Sequence, residues 1–534
     1  MLSIPAAPSS ATRMHRRWTA DAVLLAILLL GLSLRLMYVR TPLLDEHRWR
    51  QVDTASVARF FYEERLNPLY PQIAWGGRDG YVESEFPLLP FLTALLYEAF
   101  GPRDWLGRLV AASFSVATIA MAYRLGRLLL GRPAGRAMAF LLAVSPGAVF
   151  YGRAFMPEAP MLFFSAAAVA GFVEYFQCGA IAALVWGSAA LALAGLVKIP
   201  AVIVLAPVAA AAWYRHRWRA WKDYPAVIGV SLALLAIVAW YLHAYQLYEK
   251  TGLTFGIFGT TKTYPAWISP GPWPGIFPKW STVADLTSIS FYERITVRVF
   301  HLHLLPWGFA GAALGMLVWP RNRWPLVPAT WLFAFTAFVL VAGEGNRAHD
   351  YYQLPIVLCG GLYFAAAAAP VFDGTVMSRR IVLGRFRPVL LGSVLAGIGL
   401  LSFYYSSVIL THYRIGNLDT RAAATGAALG SVTGHRGLAV VVDDYGINSP
   451  MLLYFAHMRG WSFDVGDLSP RLIDSLARHY DARYFATTVW PEIAARKPDV
   501  VEYLRTRRAI PVANAPAGMA VFDLLASRKD AKAE

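Results

Sequence analysis

Cysteine is nearly absent: 534 residues hold only Cys178 and Cys359. Both sit in or beside apolar runs, so a disulfide framework is excluded and small-hydrophobe packing is their expected role. Charge is scarce as well. Charged residues are 15% of the chain against 57% hydrophobic, and mean hydropathy is +0.45. That balance excludes an ordinary soluble globular protein. No histidine or cysteine cluster has zinc-ligand spacing, and His301 and His303, two apart on a predicted helix, face different sides. No internal repeat and no low-complexity linker interrupt the chain.

What charge there is leans basic, to a formal +16. The arginines come in short clusters between apolar runs rather than in one patch, which points to membrane topology and away from nucleic acid. Arg13, Arg16 and Arg17 precede an apolar run from Ala22 to Val39 that lacks a small-x-small cleavage site. It reads as a retained signal anchor after a cytoplasmic tail, residues 1–20. Further spans are expected near 105–123, 137–151, 158–176, 180–197, 199–214, 225–243, 298–319, 325–342, 353–370 and 389–411. Alternating these eleven spans places each strong arginine cluster inside: Arg124 to Arg136, Arg215 to Lys222, Arg321 with Arg323, and Arg379 to Arg387. The expected fold is mainly α, a polytopic helical membrane protein with a transmembrane domain over 21–411. Its carboxyl-terminal domain, 412–534, would be external.

Composition turns soluble-like after residue 412. "GLAVVVDD", "ARYFATT" and "AGMAVFDLL" read as strands, and "SPMLLYFAHMRG" and "LSPRLIDSLARHY" as helices, which predicts a small α/β domain. It has no glycine fingerprint and no nucleophile motif, so Asp443 and Asp444 are expected as strand-end or turn residues.

The outer side receives a long first loop (40–104), tips near 151–158 and at Lys198, a loop over 244–297, and "GEGNRAHDYYQ". Within the first loop "FPLLPFLTALLYEAFG" is apolar but short, suited to lying in the interface or re-entering. "LLDEHRWRQVDTASVARFFYEE" follows the first span. As a helix it puts Glu46, Arg50 and Asp53 on one face, which is either an ordinary i,i+4 pair or a functional constellation. Glu158, after Pro157, is either a helix-start carboxylate or an acid facing a cavity. Lys198 either contacts a ligand or snorkels to the interface. Glu83 and Glu85 add acids ahead of the apolar segment.

Carboxylates, arginines and aromatics beside a large apolar body suit sugar transfer from a lipid phosphate. An acceptor hydroxyl needs a carboxylate base, and a departing phosphate needs cations. A transporter or flippase of lipid-linked sugars is the competing reading. Transporters place charge at midplane sites and carry internal repeats, whereas here the charges gather at outer tips.

The runs "LLDEHRWRQVDTASVARFFYEE", "YPQIAWGGRDGYVESEFPLLPFLTALLYEAFGPRDWLGRL", "YGRAFMPEAPMLFF", "GLVKIPAVIVLAP" and "HDYYQLPIVL" resemble, in that order, the polytopic GT-C glycosyltransferases. Within them the likeness is to the branch of bacterial aminoarabinose transferases and protein O-mannosyltransferases, over residues 20 to 411. The resemblance implies a hexosyl- or pentosyltransferase of the bacterial inner membrane, inverting at the anomeric carbon. Its partners would be a polyprenyl-phosphate sugar donor and a lipid, glycan or protein acceptor, amid membrane lipids. The acidic pair becomes Asp45 and Glu46, one of them the base, with Asp53 and then Glu85 as alternatives, and Glu158 the acid of the second loop. Aminoarabinose transferases carry a phosphate-associated lysine where this chain has Glu85. Arg50 is then first choice for the missing charge, ahead of Arg78, Arg153, Arg347 and His349. His47, Glu83, Lys198 and Tyr351 complete the donor-side candidates. No tightly bound cofactor is implied, and a bridging divalent cation, Mg or Mn, is left open.

Overall fold

The computed structural model describes residues 21–258, 280–373, 404–405 and 407–527. Its first part is almost wholly helical, because helices satisfy every backbone N–H and C=O internally in a hydrocarbon surrounding. The helices are α1 (Ala22–Leu36), α2 (Arg48–Glu63), α3 (Leu88–Phe100), α4 (Asp104–Leu130), α5 (Arg132–Val144), α6 (Pro146–Phe150), α7 (Glu158–Cys178), α8 (Ile181–Val197), α9 (Leu205–His216) and α10 (Tyr224–Thr251). They continue with α11 (Val283–Thr287), α12 (Ile289–Val297), α13 (Pro306–Val318), α14 (Leu326–Val341), α15 (Gly343–Ala348) and α16 (Ile356–Phe372). Among described residues four helical stretches are long and apolar enough to cross a membrane alone, α4, α7, α10 and 199–222; α1, α3, α8, α14 and α16 are apolar but shorter. The expected span at 389–411 and the cluster Arg379 to Arg387 lie largely outside the described residues.

The bundle packs α7 against α8 and α4, α5 against α4 and α16, and α13 against α16. Small residues set the closest approach: a Cβ on Gly171 of α7 would lie 2.6 Å from the Gly187 Cα of α8, so side chains there would force the backbones apart. One expectation is corrected. Residues 298–319 are not one straight span: Arg298–His303 is a π-helical turn, and the axis bends by 103° into α13. Pro306 opens α13 without an N–H to donate, and Leu305 before it takes a φ of 65°, which breaks the helical ladder.

The break between α5 and α6 frees carbonyls that Arg35 of α1 collects. Its guanidinium donates to Ala143 O, Leu142 O and Ala148 O at 3.0–3.1 Å and to Ser115 Oγ at 2.6 Å. A buried arginine is tolerated there because its donors are met. The contact holds the 145–158 tip against α1.

The carboxyl-terminal part contains α17 (Asn417–Thr433), α18 (Met451–Ala456), α19 (Pro470–His479), α20 (Trp490–Arg496) and α21 (Pro498–Arg505) around five strands. These are β1 (Leu438–Val442), β2 (Arg459–Ser462), β3 (Ala482–Thr487), β4 (Arg507–Ala509) and β5 (Ala520–Ser527), in spatial order β2-β1-β3-β5-β4. β1 pairs in parallel with β2 and β3, while β5 is antiparallel to β3 and β4. The α/β pattern is as expected, with one difference. The helix read from "SPMLLYFAHMRG" stops at His457, whose φ is 53°, and its last residues start β2.

The first loop and this domain share one core. Val57, Phe60 and Phe61 of α2, with Ile73 and Trp75, pack with Val441, Leu453 and Met458. Arg59 donates to Tyr454 O at 3.0 Å, and Arg48 pairs with Asp419. α2 is therefore buried between two bodies rather than lying as an amphipathic surface helix.

Candidate active site at the first loop

The opening acidic stretch is organised by two arginines, one from α4 and one from the turn between α6 and α7. Asp45 is buried, 1% exposed, and its carboxylate accepts from Arg108 of α4 at 3.1 Å and from Arg153. Gln51 Nε2 donates to the same carboxylate at 2.6 Å. Arg108 also gathers Thr41 O and Pro42 O at 2.6 and 3.1 Å, so the chain leaving α1 is strapped to α4. Asp45 does not cap α2: the residue before the helix is His47, in left-handed conformation with no side-chain cap bond. Glu46 lies ahead of the helix and so does not share a face with Arg50 and Asp53. Its carboxylate, half-buried, has no hydrogen bond or ion pair among the described residues.

Arg50 pairs instead with Glu85 at 2.6 Å and lies 4.5 Å from the Phe255 ring. Burial works against its charge, but Glu85 together with Tyr351, Glu158 and Asp53 outweighs this and raises its pKa. Asp53 accepts from Trp75 Nε1 at 3.0 Å. Burial pushes its carboxyl up to about 7, against the lowering effect of that bond. Glu83 is fully buried and bonded to Thr254 Oγ1.

Across from this loop, Glu158 begins α7 and forms a buried ion pair with Lys198, the residue that ends α8. Lys198 is 7% exposed and therefore does not snorkel to an interface. Its Nζ lies 4.4 Å from the Tyr351 ring centroid and 5.4 Å from that of Tyr352, a desolvated cation over aromatic faces. His349 stacks on Tyr351 at 5.0 Å, and His47 meets the same ring edge-on at 4.8 Å. His47 Nε2 and His412 Nε2 converge on Asp350 at 2.8 and 3.0 Å, with Tyr151 as a third partner. Burial raises the Asp350 carboxyl, but the bonds from His412 and His47 prevail and hold it well below the ordinary carboxylate range.

A cavity of about 420 Å³ opens beside Lys198 and Glu85, walled by Ile199, Ile203, Phe338, Val341 and Tyr352. It has one cation and one acid at an otherwise apolar wall, the arrangement a phosphate on a long apolar tail calls for. Tyr351 lies between Lys198 and His47, and Glu46, next in sequence to His47, acts electrostatically on Tyr151 and His412, two of the Asp350 partners. Glu46, His47, Arg50, Glu85, Glu158, Lys198, His349 and Tyr351 are thus brought into one contiguous cluster. Arg153 instead clamps Asp45, Arg347 pairs with Asp285 and Glu344, and Arg78 lies at another cavity beside Asp481. Among the described residues no group of three or more His, Cys, Asp or Glu is placed to hold a metal ion.

Arg108, Gln51, Tyr151 and His412 escaped the sequence reading. Arg108 left a signal, an arginine inside a predicted span, which costs about 2.5–3.5 kcal/mol on insertion scales and so marks a partner. The others left none.

Residues 84–243 match the family model of the dolichyl-phosphate-mannose-protein mannosyltransferases. No curated protein matches the chain in sequence. Among solved structures, ArnT from Cupriavidus metallidurans bound to undecaprenyl phosphate is similar with TM-score 0.63 and 14% identity, covering 94% of this chain and 98% of that one. The Archaeoglobus fulgidus oligosaccharyltransferase in its apo form gives 0.55 at 13% identity over 93% and 74%. The arabinofuranosyltransferase AftD from Mycobacteria gives 0.53 at 16% over 94% and 41%. The fold is that of the GT-C membrane glycosyltransferases. By that fold and by the match over residues 84–243, the chain is similar to ArnT and to the protein mannosyltransferases.

Proposed function

We propose that the chain is an integral membrane glycosyltransferase that moves a sugar from a polyprenyl-phosphate donor to a hydroxyl acceptor on the outer face of a bacterial inner membrane. The observation that carries this reading is the apolar cavity with Lys198 at its wall, adjoining the Arg50–Glu85 pair. The polyprenyl tail occupies the apolar wall, and Lys198 and Arg50 face the phosphate. Glu46 is the base, because Asp45, Asp53, Glu83 and Glu85 around it are each engaged, while its own carboxylate carries no hydrogen bond or ion pair among the described residues. It takes the acceptor hydroxyl proton as that oxygen bonds to the anomeric carbon. In the same step the carbon–oxygen bond to phosphate breaks, the electron pair leaves with polyprenyl phosphate, and this single displacement inverts the centre. Asp45, held by two arginines, orders the loop that presents Glu46. No step is assigned to a metal.

The test uses the full chain in lipid nanodiscs with a panel of polyprenyl-phosphate sugars and a crude envelope extract. Release of free polyprenyl phosphate that needs the extract and is lost in Glu46→Gln establishes the transferase. A folded protein that binds these lipids but releases nothing from any donor supports transport of lipid-linked sugars instead.

A further inference from the structure

A second cavity, about 410 Å³, lies where the first loop meets the α/β domain. It shares no lining residue with the apolar one. The loop side is the turn "WGGRDGY", residues 75–81, and the domain side is β2 with the segments around Asn448 and Tyr480. The turn is built tightly. Gly77 and Gly80 take φ of +78° and +60°, and a Cβ on Gly80 would stand 2.4 Å from Ile73 O, so only glycine fits. β2 is an edge strand, and the loop pairs with it: Gly77 N donates to Gly460 O at 2.8 Å and Gly460 N to Ala74 O at 2.9 Å. Arg459 adds bonds to Arg78 O and Asp79 O at 3.0 and 2.9 Å. The cavity is therefore a formed seam, closed on one side by the Arg78–Asp481 pair.

Trp461 of β2 is 5% exposed, and its indole Nε1 has no hydrogen-bond partner among the described residues. That nitrogen faces Gly77 on the cavity wall, since a Cβ on Gly77 would lie 3.0 Å from it. A buried donor left unmet is costly, and one at a cavity wall points to a ligand oxygen. The wall also carries Trp75, whose ring Asp53 fixes through Nε1, and Tyr81. Its charges cancel, Arg78 and Lys250 against Asp79 and Asp481. Balanced charge disfavours a phosphate or an acidic partner. Aromatic faces with an indole N–H and short polar side chains suit a ring that has C–H faces and hydroxyl edges.

We infer that this seam binds a neutral saccharide unit, the glycan portion of the acceptor. The same two segments line both cavities: Tyr81 and Leu253 here, Glu85 and Ile257 at the other, joined by the Glu83–Thr254 bridge. Four extended residues span at most about 14 Å, so the two cavities lie within reach of one short glycan. The acceptor role rests on the transferase reading; saccharide binding does not.

Saturation-transfer NMR of the full chain in nanodiscs tests it, with neutral gluco-, manno- and galacto-configured disaccharides as probes. A uronic-acid disaccharide and inorganic phosphate serve as charged controls. A neutral disaccharide is expected to bind in preference to both controls. Trp461→Phe, which keeps the ring and drops the N–H, should weaken it about fivefold or more while undecaprenyl-phosphate binding stays unchanged. Asn448→Gly, compatible with the φ of 63° there, is the second variant should Trp461→Phe not fold. Saccharide binding without sugar transfer by the same preparation keeps the inference and removes the transferase reading. Failure of every neutral disaccharide to bind a protein that still binds undecaprenyl phosphate overturns the inference, as does preference for a charged control or indifference to both variants.

Discussion

The two cavities have almost the same volume, about 420 and 410 Å³, and opposite walls. One is apolar with a lysine and an acid at its edge; the other carries two cations, two acids and several aromatic rings. Volume says nothing about what enters either. The difference arises from their neighbours: bundle helices and the 199–204 turn make the first, while the second is the seam between a loop and an edge strand. A lipid phosphate is matched by the first wall and a polar ring by the second.

The largest effect that separates the two is expected at Lys198. Lys198→Met leaves Glu158 buried without its partner, which costs about 3–5 kcal/mol, and removes the cation from the apolar cavity. Release of polyprenyl phosphate should drop at least a hundredfold and the melting temperature should fall. Adding Glu158→Gln should restore the melting temperature and not the release. If the double variant recovers turnover, the pair is structural and the phosphate is held elsewhere.

Next come the two adjacent acids, which should fail in different ways. Glu46→Gln is expected to lower turnover by about 10²–10⁴, the range of a general base, at unchanged melting temperature. Asp45→Asn leaves Arg108 and Arg153 underpaid in charge and should destabilise by about 2–4 kcal/mol, seen as earlier thermal unfolding. A stable, inactive Asp45→Asn protein beside an active Glu46→Gln protein would reverse their roles.

Glu85 gives a smaller effect with an unusual sign. Its carboxylate occupies Arg50, so Glu85→Gln should free that guanidinium and tighten undecaprenyl-phosphate binding about tenfold, near the worth of one charge-assisted contact. Unchanged or weaker binding in a titration would place Arg50 outside the phosphate site. Saccharide binding in the seam should not respond.

The last effect concerns the α/β domain alone. Burial pushes the Asp443 carboxyl up to about 7 despite bonds from Ser449 and the chain. Because its folded pKa exceeds the unfolded 3.8, the native state binds the extra proton, and stability contributed by Asp443 is lost as pH rises from about 4 to about 7. Asp443→Asn should flatten that slope and stabilise the protein at pH 8, on the order of 1–3 kcal/mol. Melting curves between pH 5 and 8 check it, and an unchanged slope would mean Asp443 ionises freely.

How far the sequence reading reached follows from the range of each interaction. Apolar runs near the observed α4, α7, α8, α10, α14 and α16 were legible because helix formation and hydrophobicity are properties of a short window. So was the concentration of acids after the first span, and the strand-end role of Asp443. The bend at Leu305 and Pro306 had a local sign, the proline, but its angle came from packing. β2 was missed because "RGWS" is four residues long and becomes a strand only by pairing with β1.

The residue sequence by itself determined a helical membrane body, a soluble-like α/β end and the stretch that holds the chemistry, since all three depend on composition and spacing along the chain. Tertiary structure alone decided which acid is clamped. Asp45 and Glu46 are neighbours, yet Arg108 and Arg153, 63 and 108 residues away, close on one of them. Electrostatic pairing in a buried site depends on distance in space, and no local pattern encodes which distant arginine arrives.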